Sequence, residues 1–267
     1  MLPQIHFLGK DISTYALCGI IGSLIAAIIF CRLIVKRGRN SDEGILLLMT
    51  SALGGVIGSH LLYGLTHIRH WGDIFNAPTL RESLLIIGSL FGGSVFYGGL
   101  IGGLVAGYWY IKGRKLDRCD YADCAAICIP MFHSVSRIGC FLSGCCYGIE
   151  SEWGFASVAN SFVPAVVGIK RFPTPLLESS LNLILFFVLC ALRNRQALRG
   201  KFIHLYLIAY AIIRFHIEFL RGDEIRGIWF GVSTSQWISM GLFAFSVIML
   251  IRQRIKRNTP NSCSATE

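Results

Sequence analysis

The chain has 267 residues, of which 54% are hydrophobic and 15% charged, with a mean hydropathy of +0.59. A typical soluble domain carries about 25% charged residues, so this composition excludes an ordinary soluble fold and points to an integral membrane protein. The net charge of +10 is no nucleic-acid footprint, because the basic residues fall in short clusters between apolar runs, where they act as orientation signals.

The first predicted span covers residues 12–35, close to the roughly 20 residues that cross a hydrocarbon core. It starts late, runs long and ends in Lys36-Arg37-Gly38-Arg39 without a small-residue cleavage site, unlike a cleavable signal peptide. A second span covers 44–66, followed by a polar stretch at 67–76. Residues 84–87 form a short apolar run, read as interfacial or re-entrant. Further spans follow at 94–111, 121–139, 175–192, 202–220 and 236–251. The expected fold is all-α, a polytopic membrane helix bundle of about seven transmembrane helices. A single transmembrane domain is expected over 1–257, with 258–267 a polar, disordered cytoplasmic tail.

Charge supports this division. Arg32, Lys36, Arg37 and Arg39 follow the first span, Lys112, Arg114, Lys115 and Arg118 the third, Arg193, Arg195, Arg199 and Lys201 the fifth, and Arg252, Arg254, Lys256 and Arg257 the last. Cytoplasmic loops are rich in Lys and Arg, so the N-terminus is expected outside and the C-terminus in the cytoplasm. The outer connection 150–174 holds Trp153, Phe155, Phe162 and Phe172, read either as an amphipathic arm at the membrane interface or as a plain loop. The pairs Gly54-Gly55, Gly92-Gly93, Gly98-Gly99 and Gly102-Gly103 suit close helix packing or a cavity for a lipid head group.

Chemistry concentrates at the end of the fourth span, Ser136-Arg137-Ile138-Gly139-Cys140-Phe141-Leu142-Ser143-Gly144-Cys145-Cys146-Tyr147-Gly148. An arginine in hydrocarbon is unfavourable by at least about 2.5 kcal/mol, so Arg137 marks a site. The chain has ten cysteines, most of them inside apolar runs, where Cys18, Cys31, Cys119, Cys124, Cys128 and Cys190 act as small hydrophobes. Cys140, Cys145 and Cys146 stand apart. A structural zinc site wants four ligands and no CxxC pair completes the set, so neither a metal nor another cofactor is expected. A disulfide, a thiol nucleophile activated by Arg137 and purely structural thiols remain as readings.

In the sixth span, Arg214, Glu218 and Arg221 are spaced i, i+4, i+7 on one helix face. Either they form a clasp among themselves, or two arginines bracket a phosphate while Glu218 fixes one of them. Arg137 at the same level favours phosphate, and in a bilayer the abundant anion is a phospholipid head group, which suits the bidentate guanidinium fork. Glu178 follows Pro173-Thr174-Pro175 and suits a helix N-terminus. Asp120 and Asp123 open the fourth span as expected cap residues. His60, His133 and His216 are intramembrane, where a lone histidine more often bonds between helices than acts as a base.

Four segments resemble the prolipoprotein diacylglyceryl transferase family. Phe96-Tyr97-Gly98-Gly99-Leu100-Ile101-Gly102 is similar to its His-Gly-Gly-Leu-Ile-Gly segment. Arg137 to Gly148 resembles its Gly-Arg-x-Gly-Asn-Phe-x-Asn-Gly-Glu segment. Pro173 to Glu178 resembles Pro-Ser-Gln-Leu-Tyr-Glu, and Arg214 to Asp223 the family's arginine, glutamate, arginine and aspartate segment. The departures are Tyr97 for histidine, Cys140 and Ser143 for asparagines, Cys145 for glutamate and Leu177 for tyrosine.

The resemblance implies a multi-pass enzyme of the bacterial inner membrane. It would move the diacylglyceryl group of phosphatidylglycerol, or another anionic phospholipid, to the thiol of a lipobox cysteine in a prolipoprotein signal peptide, releasing glycerol phosphate. Catalytic roles are implied for Arg137, Arg214, Glu218 and Tyr97, and substrate binding for Gly98, Gly99, Gly139, Gly144, Arg221 and Glu178. Cys140, Cys145 and Cys146 would supply a nucleophile or a disulfide. Tyrosine is a poor base at neutral pH, so His133, His216 or the electrostatic setting of the substrate thiol stand beside Tyr97 for that role. Rival readings are a different acceptor reached through a Cys intermediate, a phospholipid-binding protein without chemistry, and a thiol redox protein using Cys145 and Cys146.

Overall fold

The computed structural model describes residues 3–7, 10–156, 167–222 and 227–257. The main elements are helices α1 (Thr14–Lys36), α2 (Ser41–Thr66), α3 (Gly72–Asn76), α4 (Leu80–Leu90), α5 (Phe96–Gly113), α6 (Arg118–Leu142), α7 (Thr174–Leu192), α8 (Phe202–Ile217) and α9 (Thr234–Arg257). Small antiparallel pairs join them: β1 (Gln4–Phe7) with β2 (Lys10–Ser13), β3 (Glu150–Ala156) with β4 (Lys170–Arg171), and β5 (Ile228–Trp229) with β6 (Val232–Ser233).

Among the described residues, α1, α2, α6, α7, α8 with its 3-10 extension, and α9 are long and apolar enough to cross a membrane. Helix α5 has 18 residues, about 27 Å at about 1.5 Å per residue, just under a hydrocarbon thickness of about 30 Å. Large apolar side chains such as Leu24, Met49, Leu53, Leu104, Ile184 and Phe187 point outward, an exposed surface that only lipid or a partner would cover. The all-α polytopic bundle read from the sequence is therefore the fold.

The chain divides into two compact units, Met1–Leu33 with Cys119–Glu267, and Ile34–Arg118. In the second, α2 and α5 pack through glycine. A Cβ at Gly58 would meet the Gly98 carbonyl and, at 2.9 Å, the Gly102 Cα, and one at Gly54 would meet Ala106 and the Gly102 carbonyl. This small-residue stripe lets two backbones approach closely, so Gly98 and Gly102 are packing residues here. His60 donates from Nδ1 to the carbonyls of Phe91 and Gly93, each at 2.8 Å, the packing role expected of it. The expected short run at 84–87 is longer, because Thr79 caps α4 by accepting from the Glu82 amide at 3.3 Å, a capping pattern legible in Thr79 and Glu82.

In the first unit, α1 crosses α6 at Gly139, where a Cβ would stand 2.8 Å from that of Cys18 and 3.2 Å from the Tyr15 Cα. Ser134 and Ser179 tie α6 to α7 at 3.0 Å, and Ser179 also donates to the Ser134 carbonyl at 2.8 Å. Asp120 and Asp123, expected as cap residues, reach the segment that opens α8. Asp123 accepts from the Gly200 and Phe202 amides at 2.7 and 3.3 Å, closing the start of α8, and Asp120 pairs with Arg199 at 3.0 Å. Buried amides without carbonyl partners need such acceptors.

Several boundaries shift. Helix α6 runs to Leu142, so Cys140 is helical rather than in a loop, and the 150–174 connection contains the β3–β4 pair rather than a plain loop, with Trp153 exposed and Phe155 set edge-on to Phe141 at 5.3 Å. The β1–β2 pair ahead of α1 was not foreseen. Phe162 and the 258–267 tail lie outside the described residues. Overpacking a tight contact destabilises by about 1–3 kcal/mol. Gly58→Leu is expected to lower the thermal midpoint of the detergent-solubilised protein, whereas Gly88→Ala, whose Cβ would meet nothing within 4 Å, is expected to leave it unchanged or raised.

Candidate active site

Along α8 and into its 3-10 extension, Tyr206, Tyr210, Arg214 and Glu218 recur every fourth residue, which stacks them along one face. In an otherwise apolar span such a stripe must face protein rather than lipid. It meets α6, α7 and α9. The sequence reading singled out the arginine and the glutamate but not the two tyrosines, although the period of four was the signal that would have found them.

Arg137, near the end of α6, pairs through Nε with Oε2 of Glu178 on α7 at 3.1 Å, and the side chains are 19% and 3% exposed. Tyr210 donates to Oε1 of the same carboxylate at 3.3 Å. Glu178, whose position suits the dipole of its own helix and for which the resemblance implies substrate binding, joins three helices through one buried carboxylate. His133, one turn before Arg137, lies 3.0 Å from the Tyr206 hydroxyl and its ring stands 4.9 Å from that of Tyr210. His216 bonds from Nδ1 to the Ile212 carbonyl at 2.8 Å.

Arg214 is 9% exposed. Its Nη2 lies 2.8 Å from Oε2 of Glu218 and donates to Ser235 Oγ of α9 at 3.0 Å. Its Nη1 meets no acceptor among the described residues. The clasp is visible, since Glu218 holds Arg214, and Nη1 of the held guanidinium is a donor without a protein acceptor among the described residues. Tyr210, one turn before Arg214, bonds the carboxylate that holds Arg137, which links the two guanidiniums. The charge count differs from expectation, since Glu178 as well as Glu218 now balances the arginines.

The cysteines gather beside Arg137. Gly144, at φ +73°, closes α6 with Gly144 N bonded to the Phe141 carbonyl and Cys145 N to the Cys140 carbonyl, both at 3.1 Å, a Schellman stop that needs glycine. Cys146 is also left-handed, at φ 57°. The turn returns both thiols onto the helix end, and the Sγ atoms of Cys140, Cys145 and Cys146 lie within 4.8 Å of one another. Arg137 Nη1 is 3.7 Å from Cys140 Sγ and 3.8 Å from Cys146 Sγ. Hydrogen bonds from the Cys140 and Cys145 thiols, with Arg221 and Arg137 nearby, hold the Cys146 thiol well below the ordinary thiol range. The bonds with Cys140 and Cys146 push Cys145 upward.

A backbone knot fixes this turn. Gly148 N donates to Phe172 O at 3.1 Å, Phe172 N to Ile149 O at 2.9 Å, Ile149 N to Leu220 O at 3.0 Å and Gly222 N to Tyr147 O at 3.1 Å. A Cβ at Gly148 would strike Thr174 and the carbonyls of Phe172 and Leu220. Arg171 closes the knot, its guanidinium 4.8 Å from the Tyr147 ring centre. Arg221 bridges to Gly148 here, while Asp223 lies outside the described residues. Tyr97, Gly98 and Gly99 belong to the second unit, with Tyr97 56% exposed in the first turn of α5.

The family model described as prolipoprotein diacylglyceryl transferase matches residues 3–252. The phosphatidylglycerol–prolipoprotein diacylglyceryl transferase of Clostridium tetani is 32% identical over 246 residues, covering 90% of this chain and 94% of the relative. A second such transferase, from Clostridium perfringens, is 30% identical over 250 residues, 93% of each chain, and one from Streptococcus suis is 26% identical over 260 residues, 94% of this chain and 91% of the relative. With a match over nearly its whole length and a buried arginine site on the segments that carried the resemblance, the chain belongs to the prolipoprotein diacylglyceryl transferase family.

Proposed function

We propose that this chain transfers the diacylglyceryl group of phosphatidylglycerol to the thiol of a lipobox cysteine in a prolipoprotein signal peptide. The observation that carries the reading is the held but unsaturated Arg214 beside the Arg137–Glu178 pair, in a member of this family. In the transfer the substrate thiol loses its proton, its sulfur bonds to the glyceryl carbon, and the carbon–oxygen bond to phosphate breaks. The electron pair stays on the departing glycerol phosphate. Negative charge thus moves toward the phosphate oxygens, and positioned guanidiniums stabilise it more in the transition state than in the ground state.

In this reading Arg137 and Arg214 grip the phosphate. Glu178, Tyr210, Glu218 and Ser235 hold the two guanidiniums in place, so that little ordering is needed when substrate arrives. Arg221, with Gly139 and Gly144, shapes the outer wall. The chain would sit in the bacterial inner membrane as one transmembrane domain over 1–257, with α5 as the seventh span. The N-terminus would lie outside and the basic clusters in the cytoplasm.

Removing one positioned donor at an oxyanion typically lowers turnover by about 100- to 1,000-fold. Arg137→Ala and Arg214→Ala are each expected to lose that much, read as diacylglyceryl mass added to a lipobox peptide in phosphatidylglycerol micelles, with insertion into the membrane unchanged. Normal turnover in either variant would remove the phosphate site. Tyr210→Phe deletes one hydrogen bond to a charged group, worth about 1.5 kcal/mol, so the thermal midpoint is expected to fall by roughly 3–6 °C and turnover by no more than about tenfold.

A further inference from the structure

The three thiols beside Arg137 are arranged as a ligand set. Cys140 is 6% exposed on the last turn of α6, and the Schellman stop and left-handed Cys146 return the other two sulfurs to it, all three within 4.8 Å. In a tetrahedral zinc site with Zn–S bonds of about 2.3 Å, neighbouring sulfurs stand about 3.8 Å apart. Each thiol therefore has to move by about an ångström or less, within the reach of a side-chain torsion. Among the described residues no other trio of His, Cys, Asp or Glu brings its ligand atoms so close.

We propose that Cys140, Cys145 and Cys146 bind one zinc ion as three thiolates, leaving its fourth position open. All-sulfur donors select soft or borderline metals over magnesium or calcium, and three protein ligands with one vacant position are the arrangement of catalytic rather than structural zinc. Charge fits as well. Three thiolates and Zn²⁺ sum to −1, and Arg137 stands against two of the sulfurs at 3.7 and 3.8 Å. An N–H group directed at a ligating sulfur is the outer-shell contact that orients ligands and tunes the metal. Glu178 fixes Arg137 from its far side at 3.1 Å, so the shell has two layers.

The occupant of the fourth position rests on the function proposed above, in which the acceptor is a thiol. A thiol that displaces water from zinc releases its proton to solvent and remains bound as a thiolate, the form that attacks carbon. The metal would thus perform the deprotonation that Tyr97 is poorly suited to perform.

The test is elemental analysis of protein purified without chelators, paired with intact mass measured without reductant. About one zinc per chain is expected in the wild type, and a small fraction of that in Cys145→Ser and Cys146→Ser. Zinc absent from the wild type, zinc retained by both variants, or a mass two hydrogens light from a disulfide within the trio would each overturn the site. Cobalt exchanged into the wild type requires no variant to fold: a sulfur-to-cobalt charge-transfer band of three-thiolate intensity is expected, and its absence would overturn the site. A shift of the visible cobalt bands on adding a lipobox peptide, not seen with its Cys→Ser analogue, is expected; no shift would overturn the open position. Arg214→Ala is expected to keep zinc while losing lipid transfer, so failure of the metal site and failure of the proposed function read out separately.

Discussion

A buried carboxylate holding a half-buried guanidinium is the constraint on which the rest of the site depends. Glu178 is almost fully enclosed and lies 3.1 Å from Arg137. Removing either partner of such a pair leaves an uncompensated charge, typically at 3–5 kcal/mol, so α6 and α7 cannot separate without a large penalty. Tyr210 brings α8 to the same carboxylate, and Arg214, one turn further on, reaches α9 through Ser235. Four helices are thereby registered by polar contacts at one depth, where lipid-facing surfaces would let them slide. In the proposed transfer, the same contacts that fix the bundle would pre-set two guanidiniums for phosphate.

Above this layer, backbone rather than side chains does the fixing. Tyr147 to Ile149, Phe172 and Leu220 to Gly222 exchange main-chain hydrogen bonds, so the outer ends of α6, α7 and α8 are joined by groups that only a proline substitution can delete. Glycine is required where these strands touch, since a Cβ at Gly148 or Gly222 would enter a neighbouring carbonyl. That rigidity keeps the cysteine turn against Arg137 and makes three separated sulfurs into one cluster.

The helical architecture was legible because membrane spans announce themselves by length and hydropathy, and every expected span corresponds to a helix within a few residues at most ends. The largest difference is at α9, which runs on to Arg257 through its basic end, and at α4 Thr79 and Glu82 extend a helix beyond its apolar run. The intramembrane arginines were legible because charge in hydrocarbon demands a reason. Their partners were not, since Glu178 is 41 positions from Arg137 in sequence and only packing shows that it reaches across helices rather than serving its own N-terminus. Tyr206 and Tyr210 were overlooked because tyrosine is common in membrane helices, and only the four-residue period shared with Arg214 and Glu218 distinguishes them. The cysteine trio was visible as residues but not as a cluster, because its closure depends on Gly144 and Cys146 taking left-handed backbone angles.

The most direct test of the account is a double-mutant cycle on lipid transfer between Arg137→Gln and Glu178→Gln. If Glu178 acts by holding Arg137, the double variant should be little worse than Arg137→Gln alone, with a coupling energy above about 1 kcal/mol, as expected for groups in contact. Losses that simply multiply would show that the two residues act independently and would contradict the account.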